Sequence, residues 1–459
     1  MDAADLIFAG VARHAEMVAA GEVTPRGLVD ACLERIERLN PRLNAFRVVF
    51  ADRARADAEA LGDRDGRPLY GVPVAIKDDM DVAGEPTCFG TAIVTAPAAA
   101  DSEIVRRLRA AGAIVIGKTN VPELTQWPFT ESAAFGMTRN PWAADRTPGG
   151  SSGGTAAAVA AGLVPFGTGS DGLGSIRIPA ACCGLVGLKP QKDRVPLAPK
   201  TPDTAWHGLA HYGVLTRSVR DTALALDAVA DQPPAESLVA AADRAPGRLR
   251  VALSFKVPPP LAARVDREVR SAIEGVGETL RGLGHDVVER DPPYEAGVTF
   301  RGMARYLHGI RDDALHTGQP KRLERRTRGM MRMARLTPRK RLERSLAEEA
   351  GAARRLERIF DEVDVVVTPT LARPPLPVGH FEGRGALATF NGCGGFVPFP
   401  GAWNITGEPA LSVPAGWTAD GVPLGAQLVA RRDGEPTLIS LAAQLEAERR
   451  WTARRPPIS

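Results

Sequence analysis

The sequence predicts an α/β protein, a large mixed β-sheet core covered by helices on both faces. Three observations carry that prediction. Short β-branched runs alternate with amphipathic helical stretches across glycine breaks, the strand–helix–strand rhythm of a sheet with crossover helices. Later, two apolar runs flank the turn pair Asp420-Gly421, which adds neighbouring strands and makes the sheet mixed. Finally, 459 residues with 44% hydrophobic and 24% charged side chains suffice for a large core in an ordinary globular chain.

The elements follow in order. Thr24 is placed to cap a helix, Pro25 suits its first position, and Leu28, Cys32, Ile36 and Leu39 recur at helical spacing. Residues 72–76 form a β-branched run after Tyr70-Gly71, a strand that ends on Lys77-Asp78. From Ser102 a capped helical stretch runs to Gly112, and residues 113–116 give the next strand. The rhythm returns with a strand over 250–254, a helix over 261–283 and a strand at 287–288 after Gly284. Residues 363–367, 411–413 and 424–429 complete the set. Residues 321–358 are basic and helical in composition, broken by Gly329 and Pro338. Interspersed Glu324, Glu343, Glu348 and Glu349 make this segment a solvated helical cap rather than a nucleic-acid patch.

Composition excludes several classes. Against 58 basic residues stand 54 acidic ones, too even a balance for a nucleic-acid footprint. Asp2 and Asp5 stand where a secretory signal would carry positive charge, so a cytoplasmic chain is expected. The most apolar region, residues 155–169, is too short and too rich in small residues for a membrane span. Cys32, Cys88, Cys182, Cys183 and Cys393 are odd in number and lack C-x-x-C spacing, which predicts reduced, mostly buried thiols.

Chemistry concentrates in residues 147–190, TPGGSSGGTAAAVAAGLVPFGTGSDGLGSIRIPAACCGLVGLKP. Glycines 149, 150, 153 and 154 bracket Ser151 and Ser152, and Gly172 and Gly174 precede Ser175. Two serines held in glycine-rich turns suggest a nucleophile and a relay. A hydroxyl is a poor nucleophile at neutral pH and needs a base. None of the seven histidines lies in this stretch, although a distant one would serve if the fold brought it near. A desolvated lysine is the alternative, and Lys77 at its strand end is a candidate.

This stretch resembles the signature of the amidase signature family. GVPVAIKD at 71–78, GGSSGG at 149–154, GSIRIPA at 174–180 and GLKP at 187–190 fall in family order. GVLTRSVRD at 213–221, NITGEPALSVPAGW at 404–417 and GVPLGAQLVARRDGEPTLISLAAQLE at 421–446 are similar to its later blocks. The resemblance implies a single amidase domain over 1–459, with core regions 60–230 and 361–451 and a variable helical segment 232–360 forming a cap or pocket wall. It implies a Ser–Ser–Lys triad that cleaves a non-peptide carboxamide through an acyl-enzyme: Ser175 as nucleophile, Ser151 as bridging serine beside a cis peptide, Lys77 as base. Backbone N–H groups of Gly172, Leu173, Gly174 and Ser175 are expected to form the oxyanion hole. Ser152, Asp171 and Arg177 are supporting residues. The cycle calls for no metal and no organic cofactor. Its partner is a small-molecule amide, with no nucleic acid or membrane, and the family implies a homodimer. A glutaminase subunit of a tRNA-dependent amidotransferase and a non-catalytic binding module are the alternative readings.

Lys118 and Lys189 compete with Lys77 because they lie in similar motifs. His207 and His211 have i, i+4 spacing, but no Glu follows His207 and Gly208 intervenes, so they are loop or pocket residues. Cys182 and Cys183 are expected to pack rather than react. Two departures from the family pattern bear on specificity: Leu173 where a glycine is common, and QKDRVP after Pro190.

Overall fold

The computed structural model describes residues 3–62, 66–93, 95–201 and 203–459. Eleven strands form its main sheet: β1 (Phe46–Val49), β2 (Pro73–Lys77), β3 (Ile114–Thr119), β4 (Phe166–Asp171), β5 (Val186–Lys189), β6 (His211–Thr216), β7 (Arg250–Leu253), β8 (Asp286–Glu289), β9 (Val365–Pro369), β10 (Ala410–Trp417) and β11 (Pro423–Ala430). Their spatial order is β1-β3-β2-β4-β6-β5-β10-β11-β9-β7-β8. β2 runs parallel to both β3 and β4, β9 and β8 run parallel to β7, and the central pairs are antiparallel. The sheet is therefore mixed.

Both faces are covered, and the strand period shows it. Val74 and Ile76 of β2 point into one core while Ala75 points into a second; in β3, Val115 joins the first and Ile114 and Ile116 the second. Strands buried on both faces read as continuous apolar runs, which is why 72–76 and 113–116 are legible.

The helices that matter for the site are α1 (Pro25–Leu43), α2 (Glu103–Ala110), α3 (Gly153–Ala160), α4 (Arg177–Cys183), α5 (Arg267–Gly282), α6 (Ala296–His316), α7 (Arg325–Arg335), α8 (Arg339–Ala347), α9 (Glu349–Glu357), α10 (Ala386–Phe396) and α11 (Ala402–Thr406). Thr24 caps α1 by accepting from the Gly27 N–H at 3.0 Å. The helix expected over 261–283 starts only at Arg267, because Asp266 takes the capping position and accepts from the Glu268 N–H. β9 is shifted two residues along from the expected 363–367. β1, β4, β5 and β6 have no counterpart in the sequence reading. Glycine interrupts β4 (FGTGSD) and β5 (VGLK), so neither shows the β-branched run of a buried strand.

α6 and α7 pack with Trp127, Phe129, Trp206, Leu209 and Phe381 into a third, aromatic-rich core away from the sheet. Among the described residues no helix is long and apolar enough to cross a membrane, and all five cysteines are free thiols.

Candidate active site

β2 and β4 lie side by side and parallel, so their carboxyl ends open on the same edge, the place where α/β sheets gather ligand groups. Lys77 is the last residue of β2, and Ser170 and Asp171 are the last of β4. Ser175 sits in the turn between β4 and α4, and Ser151-Ser152 in the turn that opens α3. The Ser152 N–H donates to the Ser175 carbonyl at 3.3 Å, joining the two turns, and the Gly150–Ser151 peptide is cis.

Lys77 is wholly buried. Its Nζ lies 2.8 Å from Ser151 Oγ, 2.7 Å from Ser170 Oγ and 3.3 Å from the Ser170 carbonyl. Burial pushes its ammonium down to about 8; Asp79, 3.5 Å away, opposes that shift, and the Lys200 charge adds to it. A reachable neutral amine beside a serine hydroxyl can act as a base at mildly alkaline pH.

The competing lysines are engaged elsewhere. Lys118 Nζ pairs with Asp78 Oδ1 at 2.9 Å and donates to Thr87 Oγ1 at 2.8 Å. Lys189 Nζ donates to the Pro190 carbonyl at 2.9 Å, and burial together with the Arg177 charge pushes it down to about 7. Neither bonds a serine of the two turns.

Asp171 organises the turn that carries Ser175. Its Oδ1 accepts from the Gly174 N–H at 2.6 Å and its Oδ2 from the Ile176 N–H at 3.2 Å, while Arg177 donates to both oxygens at 2.9 Å. Burial alone would raise this carboxyl, but the Arg177 guanidinium holds it well below the usual range. Arg177 also reaches Asn404 Oδ1 and Gln427 Oε1, both at 2.5 Å, and Asn404 Nδ2 returns to Asp171. The sequence reading named neither Asn404 nor Gln427.

The N–H groups of the four expected oxyanion donors differ in their partners. The Gly174 N–H is spent on Asp171, whereas among the described residues those of Gly172, Leu173 and Ser175 have no partner. Gly174 has φ +124°, and a Cβ there would lie 2.7 Å from Ile178 Cδ1. A Cβ on Gly172 would come within 2.6 Å of the Trp206 ring.

A pocket of about 370 Å³ opens above the turn. Ser175, Leu173 and Ile178 form its floor, and Trp127, Trp206, Met303, Tyr306, Phe390 and Ile405 stand among its walls; among the described residues no carboxylate, ammonium, guanidinium or imidazole lines it. The Trp206 indole donates to Asp313 Oδ2 at 2.7 Å and meets Tyr306 edge-on at 5.3 Å, and the Tyr306 hydroxyl donates to the Gln126 carbonyl. Thus α6 supplies part of the wall. His207 lies 3.2 Å from Asp312, and the His211 ring meets the Leu209 carbonyl; they do not converge as a metal pair.

Sequence reading missed Asp79, Ser170 and Trp206. Asp79 carried a faint signal, standing two residues beyond Lys77 at a strand end, where alternate residues share a side.

The amidase family model matches residues 27–439. The chain belongs to the amidase signature family. It is 52% identical over the full length of both chains to a Mycobacterium tuberculosis protein named "Putative amidase AmiB2". Among solved structures, 6-aminohexanoate cyclic dimer hydrolase superimposes with a TM-score of 0.89 at 31% identity, covering 98% of this chain and 99% of that one. A bacterial aryl acylamidase gives 0.84 at 25% identity, covering 96% and 97%. As a member of this family the protein is an amidase, a hydrolase of amide bonds.

Proposed function

We propose that this amidase cleaves uncharged carboxamides with apolar or aryl substituents, using Ser175 as nucleophile, Ser151 as proton relay and Lys77 as base. One observation carries the substrate class: the pocket in front of Ser175 is walled mainly by aromatic and aliphatic side chains, with uncharged Gln126, Thr299 and Asn391, and among the described residues no ionised group lines it. Free glutamine, held by its side-chain amide at Ser175, would bring its α-ammonium and α-carboxylate into that space, and burying each without a partner costs several kcal/mol. The glutaminase reading is disfavoured for that reason.

In the proposed cycle, neutral Lys77 draws a proton from Ser151, which takes one from Ser175 as Ser175 Oγ attacks the amide carbon. The free N–H groups of Gly172, Leu173 and Ser175 stabilise the oxyanion, while Gly174 holds the turn against Asp171. The leaving nitrogen takes the proton back along the relay, and water hydrolyses the acyl-enzyme by the reverse path. The cap helix α6 sets the size of the pocket.

A panel of anilides, aliphatic amides and glutamine tests this reading. Anilides and aliphatic amides should exceed glutamine in kcat/KM by roughly a hundredfold or more. Preference for glutamine would overturn it.

A further inference from the structure

A lysine serves as a base only through its lone pair, so the direction of that lone pair matters. Neutral Lys77 has two N–H bonds and one lone pair, and Ser151 Oγ, Ser170 Oγ and the Ser170 carbonyl lie around its nitrogen, with Asp79 Oδ2 next at 3.5 Å. The carbonyl can only accept. Ser170 Oγ could either donate or accept, and if it donated it would occupy the lone pair and silence the base.

Asp79 removes the choice. Its Oδ2 lies 2.5 Å from Ser170 Oγ, and a carboxylate accepts only, so the single Ser170 proton points at Asp79. Burial would raise this carboxyl; the Lys77 charge lowers it while the ammonium persists, and the Lys200 charge and the Ser170 hydrogen bond lower it in either state of Lys77. Ser170 must then accept from Lys77. Ser170 Oγ thus takes one N–H of the neutral amine, the acceptor-only Ser170 carbonyl and Asp79 carboxylate compete for the other, and the third direction, toward Ser151 at 2.8 Å, is left to the lone pair. Asp79 is 3% exposed and its Oδ1 has no hydrogen-bond partner among the described residues. An uncharged side chain would be cheaper to bury.

We propose that Asp79 is a positioning residue that orients the Ser170 hydroxyl and so leaves the Lys77 lone pair free for Ser151. The proposal rests on Lys77 being the base. Asp79 has a second effect through its charge, since it favours the protonated amine. The charged groups that bear on Lys77 are Asp79, Lys200 and Asp171, and those on Asp79 are Lys77 and Lys200.

Asp79→Asn, Asp79→Leu and Ser170→Ala separate orientation from charge when kcat, KM and the pH profile are measured on an anilide. In D79N the amide oxygen still accepts from Ser170 while the charge is lost, so the acid limb of kcat/KM should move to lower pH by about one unit or more. In D79L the Ser170 proton is released to bond the lone pair, and plateau kcat should fall roughly tenfold or more with KM little changed. S170A, which removes the acceptor, should fall likewise. An unmoved limb in D79N, or equal pH-independent losses in D79N and D79L, would overturn the role of Asp79 provided Lys77→Ala is inactive. Retained turnover in K77A would instead overturn the base assignment, and this inference with it.

Discussion

Lys77 Nζ lies 2.8 Å from Ser151 Oγ, and both side chains are sealed beneath the pocket that Ser175 lines. Neither Lys77 nor Ser151 lines that pocket, whereas Ser175 does. K77A is expected to lose roughly 10²-fold or more in kcat. K118A removes a partner of Asp78 instead, and should lower the melting temperature while keeping the pH profile of turnover. Steady-state kinetics on both variants decide between the two lysines.

Fluorophosphonate should label Ser175 covalently. Intact-mass analysis should show one adduct in the wild type and none in Ser175→Ala, whose amide hydrolysis should vanish; unchanged turnover there would remove Ser175 from the mechanism.

The pH dependence follows from the Lys77 amine. In the proposed cycle the neutral form is the base, and burial brings the amine down to about 8, so kcat/KM should rise with pH through about 8. Lys200 is a second cation that lowers Lys77 further, so Lys200→Met should stabilise the ammonium and move the limb to higher pH. That is the opposite sign to D79N. A shift of both variants in one direction would contradict the electrostatic picture.

Asp171 and Arg177 form a fully buried pair that also binds the Ser175 turn. Asp171→Asn strands the guanidinium, a loss of about 3–5 kcal/mol. Urea denaturation should report that loss as a lower midpoint, and fluorophosphonate labelling of the folded variant should slow because the Gly174 N–H loses its carboxylate acceptor.

Trp206 joins the nucleophile turn to the cap: its ring lies against Gly172, and its N–H is held by Asp313 on α6. Trp206→Ala should cut kcat/KM for anilides by roughly 10–200-fold, and less for acetamide-sized substrates that do not reach the wall. Equal losses across the panel would assign Trp206 to folding alone.

How much of this was legible before folding can be judged residue by residue. Local signals survive in sequence because they answer to local physics. The glycine brackets around Ser151 and Ser175, the Thr24-Pro25 helix start and the apolar run ending at Lys77 are of this kind. Together with the ordered motifs they sufficed for the α/β class, the family and the three candidate residues. Helical composition was legible over 321–358, where α7, α8 and α9 form, but α6 was not read.

Partnership was not legible. Ser170 and Asp79 acquire meaning only when β4 pairs with β2, a contact between segments far apart in the chain, and nothing near either residue announces it. The same holds for Trp206, which reaches the pocket from the loop after β5 because Asp313 on α6 holds its indole. The expected oxyanion hole included Gly174 because all four residues carry an N–H; only the placement of Asp171 decides which of these groups is already bonded. Sequence by itself determined which groups with catalytic chemistry this protein carries. Tertiary structure decided how their protons and lone pairs are shared, because a hydrogen bond depends on distance and direction between atoms, and long-range strand pairing sets both.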